Sequence, residues 1–217
     1  MSAPGTFHFD MGELPEQSFA LETARIVLFV PALGGSEQIS LNVDLFAEPR
    51  EVKADDDLGP YRMQPAYYTE WLTISRAQLR SRGLDALDGY RLDYDEARTP
   101  KGQIIEAPGA VQQDSHALWT RATLSLTHLG GARYRVETEG ATEFDWTFRI
   151  EAEAAFDQVM LRDDLVNSPR LPDPAVEAEF AELFDPALFE AGWKKQGPPD
   201  GGWHDYIARP VASGDAP

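Results

Sequence analysis

Apolar and polar positions alternate with a period of two across Ala117 to Arg162. Leu118, Ala122, Leu124 and Leu126 are interleaved with Trp119, Arg121, Thr123, Ser125 and Thr127. After Gly130-Gly131 the pattern resumes with Tyr134, Val136 and Thr138 against Arg135, Glu137 and Glu139. Gly140 reads as a second turn, followed by Phe144, Trp146, Phe148 and Ile150 against Glu143, Asp145, Thr147, Arg149 and Glu151. Successive side chains of a strand point to opposite faces, so this stretch predicts consecutive antiparallel strands with one dry face and one charged face. Phe156, Val159 and Leu161 break the alternation, which calls for a bulge or a helical turn.

Upstream, Arg25 to Val30 is a β-branched and aromatic run ended by Pro31, and Gln38 to Phe46 alternates cleanly. The two form a hairpin across Pro31–Ser36. Phe7 to Phe9 is a short strand, Glu48 to Pro65 reads as an exposed connection, and Tyr67 to Ile74 reads as one strand. A short helix follows, with Ser75 at its N-cap, Gln78 completing a capping box and Gly83 past its end. Leu84 to Tyr94 holds a turn at Asp88-Gly89 and a strand from Tyr90, and the polar stretch Asp95 to Gln113 suits a mobile flap. Beyond Ser168 the texture becomes helical. Asp173-Pro174 starts a helix with Val176, Phe180, Leu183 and Phe184 at helical spacing, and Asp185-Pro186 starts a second that Gly192 stops.

These elements imply an α+β fold. A mainly antiparallel sheet, folded as a sandwich or curved half-barrel, carries a short central helix and C-terminal helices. Residues 1–217 form one domain, with 169–195 as a helical flank packed on the sheet and 207–217 as a frayed tail. The expected core comprises Ile26, Leu28, Ile39, Leu41, Val43, Leu72, Ile74, Leu124, Leu126, Val136, Phe144, Trp146, Phe148, Phe180 and Leu183.

Composition narrows the chemistry. The chain has no cysteine, which removes disulfides, thiolate metal sites and cysteine nucleophiles and fits a cytoplasmic setting. Its longest apolar run, Ile26 to Leu33, is too short to span a bilayer, so no membrane partner is expected. The N-terminus lacks a basic residue ahead of an apolar stretch, so no secretory leader is expected either. A net charge of −18 opposes binding to nucleic-acid phosphates. That charge is uneven: residues 1–60 carry 11 acids and 3 bases, residues 163–217 carry 11 and 4, and residues 61–132 carry 8 of each. A net charge of this size suits solubility, and it also suits a basic partner.

Catalytic signatures are missing. Gly34-Gly35, Gly130-Gly131 and Gly201-Gly202 have no phosphate-loop context, and no G-x-S-x-G elbow occurs. His8, His116, His128 and His204 lack metal-ligand spacing, and Asp55-Asp56-Asp57 lacks the calcium-loop pattern, so neither a metal nor another cofactor is expected. The leading expectation is therefore a non-catalytic acidic binding protein, such as an inhibitor or immunity protein that caps a basic protein partner. Its contact residues would be Glu137, Glu139, Glu143, Asp145 and Glu151, joined by Trp119, which the alternation places on the polar face. The alternative is a small-molecule site or enzyme in a sheet cavity gated by residues 95–113.

Overall fold

The computed structural model describes residues 4–12, 16–31, 38–53, 60–70, 72–98, 107–113, 115–162, 173–196 and 203–211. In chain order its strands are β1 (Gly5–Asp10), β2 (Gln17–Pro31), β3 (Gln38–Ala47), β4 (Arg50–Lys53), β5 (Pro60–Met63), β6 (Ala66–Thr69), β7 (Thr73–Ser75), β8 (Arg91–Asp95), β9 (Gly109–Gln112), β10 (His116–Gly130), β11 (Arg133–Thr142) and β12 (Thr147–Arg162). One α-helix, α1 (Asp173–Leu183), precedes the last two strands, β13 (Phe189–Gln196) and β14 (Trp203–Pro210). Eight strands close a mainly antiparallel barrel in the order β1, β2, β3, β6, β9, β10, β11, β12 and back to β1. The expected sandwich or half-barrel is thus corrected to a closed barrel. Closure removes the sheet edges that an open sheet would expose.

The barrel is shut along β12. Its first half pairs β1 antiparallel, from Thr147↔Asp10 to Ala152↔Gly5. Where β1 ends, the second half pairs β2 directly and in parallel, from Ala155↔Arg25 to Arg162↔Pro31. The register slips between Phe156 and Gln158, which is the bulge that the broken alternation called for. On its other edge β12 carries β11 and then β14. The strands β7, β8 and the β13–β14 hairpin are added to the barrel strands, and β4–β5 forms a separate hairpin.

An eight-stranded barrel has an interior just wide enough for side chains to fill. Phe7, Leu21, Leu28, Leu41, Tyr67 and Val136 are completely buried there, together with most of the other expected core positions. Trp119 is also inside, only 1% exposed, and stacks on Tyr67 at 5.1 Å. This corrects its expected place on the polar face. A register shift between Trp119 and Arg121 reverses the facing of β10, so Ala117 and Trp119 point in before the bulge and Ala122, Leu124 and Leu126 point in after it. Gly109 makes the room: a Cβ there would lie 2.4 Å from the Trp119 ring. Gly140 is not a turn but an interior residue of β11, where a Cβ would lie 2.7 Å from the Phe148 ring. The turn falls at 143–145 instead, which leaves Phe144 outside the core and Trp146 half-buried.

Helix content is lower than expected. The central helix is a single 3-10 turn, Arg76–Gln78, held by Ser75 N donating to Gln78 Oε1 at 2.7 Å. The second C-terminal helix does not form. Asp185 and Pro186 start one 3-10 turn, with Asp185 Oδ1 accepting from Ala187 N at 3.0 Å, and Phe189 then turns extended. Local capping is overridden by eight paired positions between β13 and β14. The expected tail therefore contributes Ile207–Pro210 to a strand, while 212–217 lie outside the described residues. The expected connection 48–65 contains β4 and β5, and the expected strand 67–74 is split into β6 and β7. Within the expected flap, Gly109–Gln112 is a wall strand of the barrel, and residues 99–106 lie outside the described residues.

The helix α1 buries Val176 and Phe180, and Phe184 just past its end is buried with them. Phe180 meets Phe189 edge to face at 5.3 Å, and Phe184 lies 6.4 Å from Phe156. Arg82 donates to the carbonyl oxygens of Ala181 and Phe184 near the helix C-terminus, where a cation offsets the helix dipole. Below the helix, Tyr134 Oη donates to Leu84 O at 2.6 Å and accepts from Leu87 N at 3.1 Å, which pins the 79–90 segment to the wall.

Between β6 and β7 the wall is completed by a side chain. Buried Thr69 Oγ1 donates to Leu41 O at 2.7 Å and accepts from Val43 N at 2.9 Å. These are two β3 groups that neither β6 nor β7 reaches in register. Replacing Thr69 by Val keeps the volume and strands both backbone groups. Thr69→Val should cost about 1–3 kcal/mol in urea unfolding, and Thr69→Ser should retain most of that stability.

Candidate functional site

The charged face of the meander is open to solvent. Across β8, β10, β11, β12 and β1 the pairing registers set outward side chains in rows. One row reads Asp93, Thr123, Glu139, Arg149, His8, and the next reads Arg91, Ser125, Glu137, Glu151, Thr6. Thr123 and Ser125 are short, and the residues on either side are long and charged. The result is a trough on the outside of the barrel, floored by β10 and walled by β8 on one side and β11 and β12 on the other. It comprises two adjoining hollows of about 480 Å³ and 590 Å³ that share Asp93, Thr123 and Glu139.

Three of the expected contact residues meet here. Glu137 and Glu151 are directly opposite each other on neighbouring strands, and Glu139 stands opposite Arg149. Like charges directly opposite are unfavourable in a sheet. Arg149 relieves part of the repulsion by donating to Glu151 Oε1 at 2.6 Å. That hydrogen bond, followed by the charge of Glu151 and then those of Glu139 and Glu137, pushes the Arg149 pKa above its ordinary value. One guanidinium therefore stands among three exposed carboxylates and hydrogen bonds one of them. At the neighbouring strand Arg98 bridges Asp93 at 3.3 Å and Asp95 at 3.0 Å. Asp93, Asp95 and Arg98 were not singled out from the sequence. Their signal was the brief alternation of Arg91, Asp93 and Asp95 with Leu92 and Tyr94, and only the register with β10 brings them to the trough.

The other expected contact residues lie elsewhere. Trp119 is in the barrel interior, and Glu143 and Asp145 are exposed in the loop joining β11 to β12. This is a three-residue hairpin loop whose last residue, Asp145, has a φ of 59°. Glycine fits that left-handed conformation best, and a side chain there costs on the order of 1 kcal/mol. The loop is tied by Asp145 N donating to Thr142 O at 3.0 Å, Thr142 N to Trp146 O at 3.0 Å, and Leu118 N to Glu143 Oε1 at 3.1 Å.

No arrangement of acid, base and nucleophile is assembled among the described residues. His8 Nδ1 is 2.9 Å from Ser18 Oγ and 3.7 Å from Glu16 Oε1. Both contacts use the same ring nitrogen, whereas a relay needs one nitrogen for the nucleophile and the other for the orienting carboxylate. His116 stacks on Tyr68 and pairs with Glu70 at 3.3 Å, and His128 bonds Gly131 O at 2.8 Å. The side chain of His204 lies outside the described residues. No group of three histidine or carboxylate side chains suited to a metal ion occurs among the described residues. Trp119 Nε1 and Thr142 Oγ1, on directly paired residues, are buried without a protein partner.

The buried phenols are poor proton shuttles at neutral pH. Burial pushes Tyr90 up to about 12, and it raises Tyr67 and Tyr134 as well. The neutral phenol is the form favoured by folding. Its stabilisation is complete below the ordinary value of 10.0 and is lost as pH rises through the folded value. Denaturant midpoints should therefore hold up to about pH 10 and fall between pH 10 and about 12 as the unfolded phenols ionise, with absorbance at 295 nm reporting the ionisation. At the trough, Glu137→Gln should leave the fold intact and raise stability by a few tenths of a kcal/mol at low salt, because the opposed carboxylates no longer repel.

Comparison with protein-family models, with curated proteins and with solved structures returns no match.

Proposed function

We propose that this protein is a non-catalytic binding protein that receives a basic protein partner along the outer trough, as an inhibitor or immunity protein caps a basic toxin. The observation that carries the proposal is the opposed pair Glu137 and Glu151, exposed on neighbouring strands and sharing Arg149 with Glu139. A sheet gains nothing from that pairing in isolation, and a partner's lysine or arginine side chains relieve it on contact. The net charge of −18 adds a long-range field of the same sign. Such a field speeds encounter with a basic surface and excludes acidic ones.

A site inside the sheet has less in its favour. The inward residues Phe7, Leu21, Tyr67, Trp119, Leu124 and Val136 are at most 1% exposed, which leaves no solvent-sized space against them. The expected gate supplies a wall strand at Gly109–Gln112.

Affinity capture from the native host at low and at high salt tests the proposal. The expected result is a basic protein retained at low salt and released at high salt. With that partner purified, a Glu137→Gln, Glu139→Gln, Glu151→Gln triple variant should associate about tenfold more slowly at low salt and show a flatter salt dependence. Capture of no basic protein, or an unchanged association rate, would overturn the proposal.

A further inference from the structure

We infer that Phe144 is the apolar anchor of the partner interface, and that the partner is a basic protein offering an apolar pocket rimmed by cationic side chains. This inference rests on the binding function proposed above and names one more contact on the same hairpin. Phe144 is 49% exposed, although its alternation with Trp146, Phe148 and Ile150 marks it for the core. It is one of two large apolar side chains conspicuously exposed among the described residues, the other being Val211. Exposure alone is common on protein surfaces. Three further observations set this residue apart.

The first is support from beneath. The Phe144 ring lies 5.2 Å from Trp146, and Trp146 meets the buried Phe9 edge to face at 5.5 Å. An exposed ring is thus continuous with the barrel interior through two aromatic contacts. Rigid aromatic side chains lose little conformational entropy on binding, which is why they serve as interface anchors. The second is the loop itself. Asp145 holds the left-handed position that glycine would occupy more easily, and two backbone hydrogen bonds and the bond from Leu118 N to Glu143 Oε1 fix the turn that presents Phe144. Strain of this kind in an exposed turn is a reason to look for a function.

The third is charge. Phe144 sits between exposed Glu143 and Asp145, and Asp10 is paired with Thr147 two residues further on. Thr147 in turn lines the lower end of the trough. The same hairpin therefore carries the opposed carboxylates along its outer face and an exposed aromatic residue flanked in sequence by two exposed acids at its tip. A partner complementary to both would need a hydrophobic pocket within a basic surround. A second copy of this chain, at a net charge of −18, does not meet that description.

The test uses the full chain and the basic protein captured and purified as above. Phe144→Ala should raise the dissociation rate at least tenfold while leaving the association rate and its salt dependence unchanged, and Phe144→Leu should restore part of the loss. Because Phe144 is half-exposed and lies outside the core, both variants should stay folded, with the far-ultraviolet circular dichroism of the parent and a cooperative unfolding transition. If the triple glutamine variant slows association and Phe144→Ala leaves dissociation unchanged, the anchor is refuted and the binding function stands. If neither variant alters the kinetics, or no basic protein is captured, both fall.

Discussion

One strand holds the barrel shut. Thr147–Arg162 is hydrogen bonded to β1 and β2 on one edge and to β11 and β14 on the other, so four strands depend on its register. Closure is a backbone requirement before it is a packing one. Every N–H and C=O along a wall strand must find a partner or be left unpaired at a cost. β1 is too short to cover β12 fully, and the uncovered half is taken by β2 in parallel. Where β6 and β7 leave β3 uncovered, the hydroxyl of Thr69 takes the place of a strand. The wall is continuous because each gap in the main-chain ladder has a specific substitute.

Much of this was legible in the alternation of side chains, and the failures have definite physical causes. Period two assigned the strands of the meander and the buried face of β3, and its interruption at Phe156 located a bulge. A second bulge, between Trp119 and Arg121, left no such mark, because Ala117 and Leu118 fit either phase. Only the space beside Gly109 reveals that Trp119 belongs inside. The hairpin loop was misplaced for a related reason. Gly140 looks like a turn residue, but its missing side chain accommodates the Phe148 ring within a strand. Moving the turn to 143–145 took Phe144 out of the core. At the C-terminus, Asp185-Pro186 and Gly192 read correctly as local signals, yet pairing with a strand more distant in sequence decided the conformation of Phe189–Gln196.

The candidate site shows the same division. Glu137, Glu139 and Glu151 were placed on one polar face by spacing alone. Their meaning depends on register, which opposes Glu137 to Glu151 and sets Arg149 among them. The short residues Thr123 and Ser125, unremarkable in sequence, become the floor of a trough because longer side chains flank them on adjacent strands. The interior filled with Tyr67, Trp119 and Phe148 and the solvated charge outside are two faces of the same few strands. Rigidity on one side fixes the spacing of charges on the other.

The parallel junction of β2 and β12 has a consequence for how the chain finds its fold. Ile26 and Phe156 are neighbours in that junction and stand ~130 residues apart in sequence, so joining them carries a large loop-closure entropy. The hairpins β2–β3, β10–β11 and β11–β12 require only local encounters. Local pairings form early and distant ones late, and folds dominated by distant pairings assemble slowly, over milliseconds to seconds. The meander and the β2–β3 hairpin are therefore expected to pair internally before they meet along β12. Until they do, the edge of β12 over Ala155–Arg162 has no strand partner, and an unpaired edge of that kind is open to pairing with other chains.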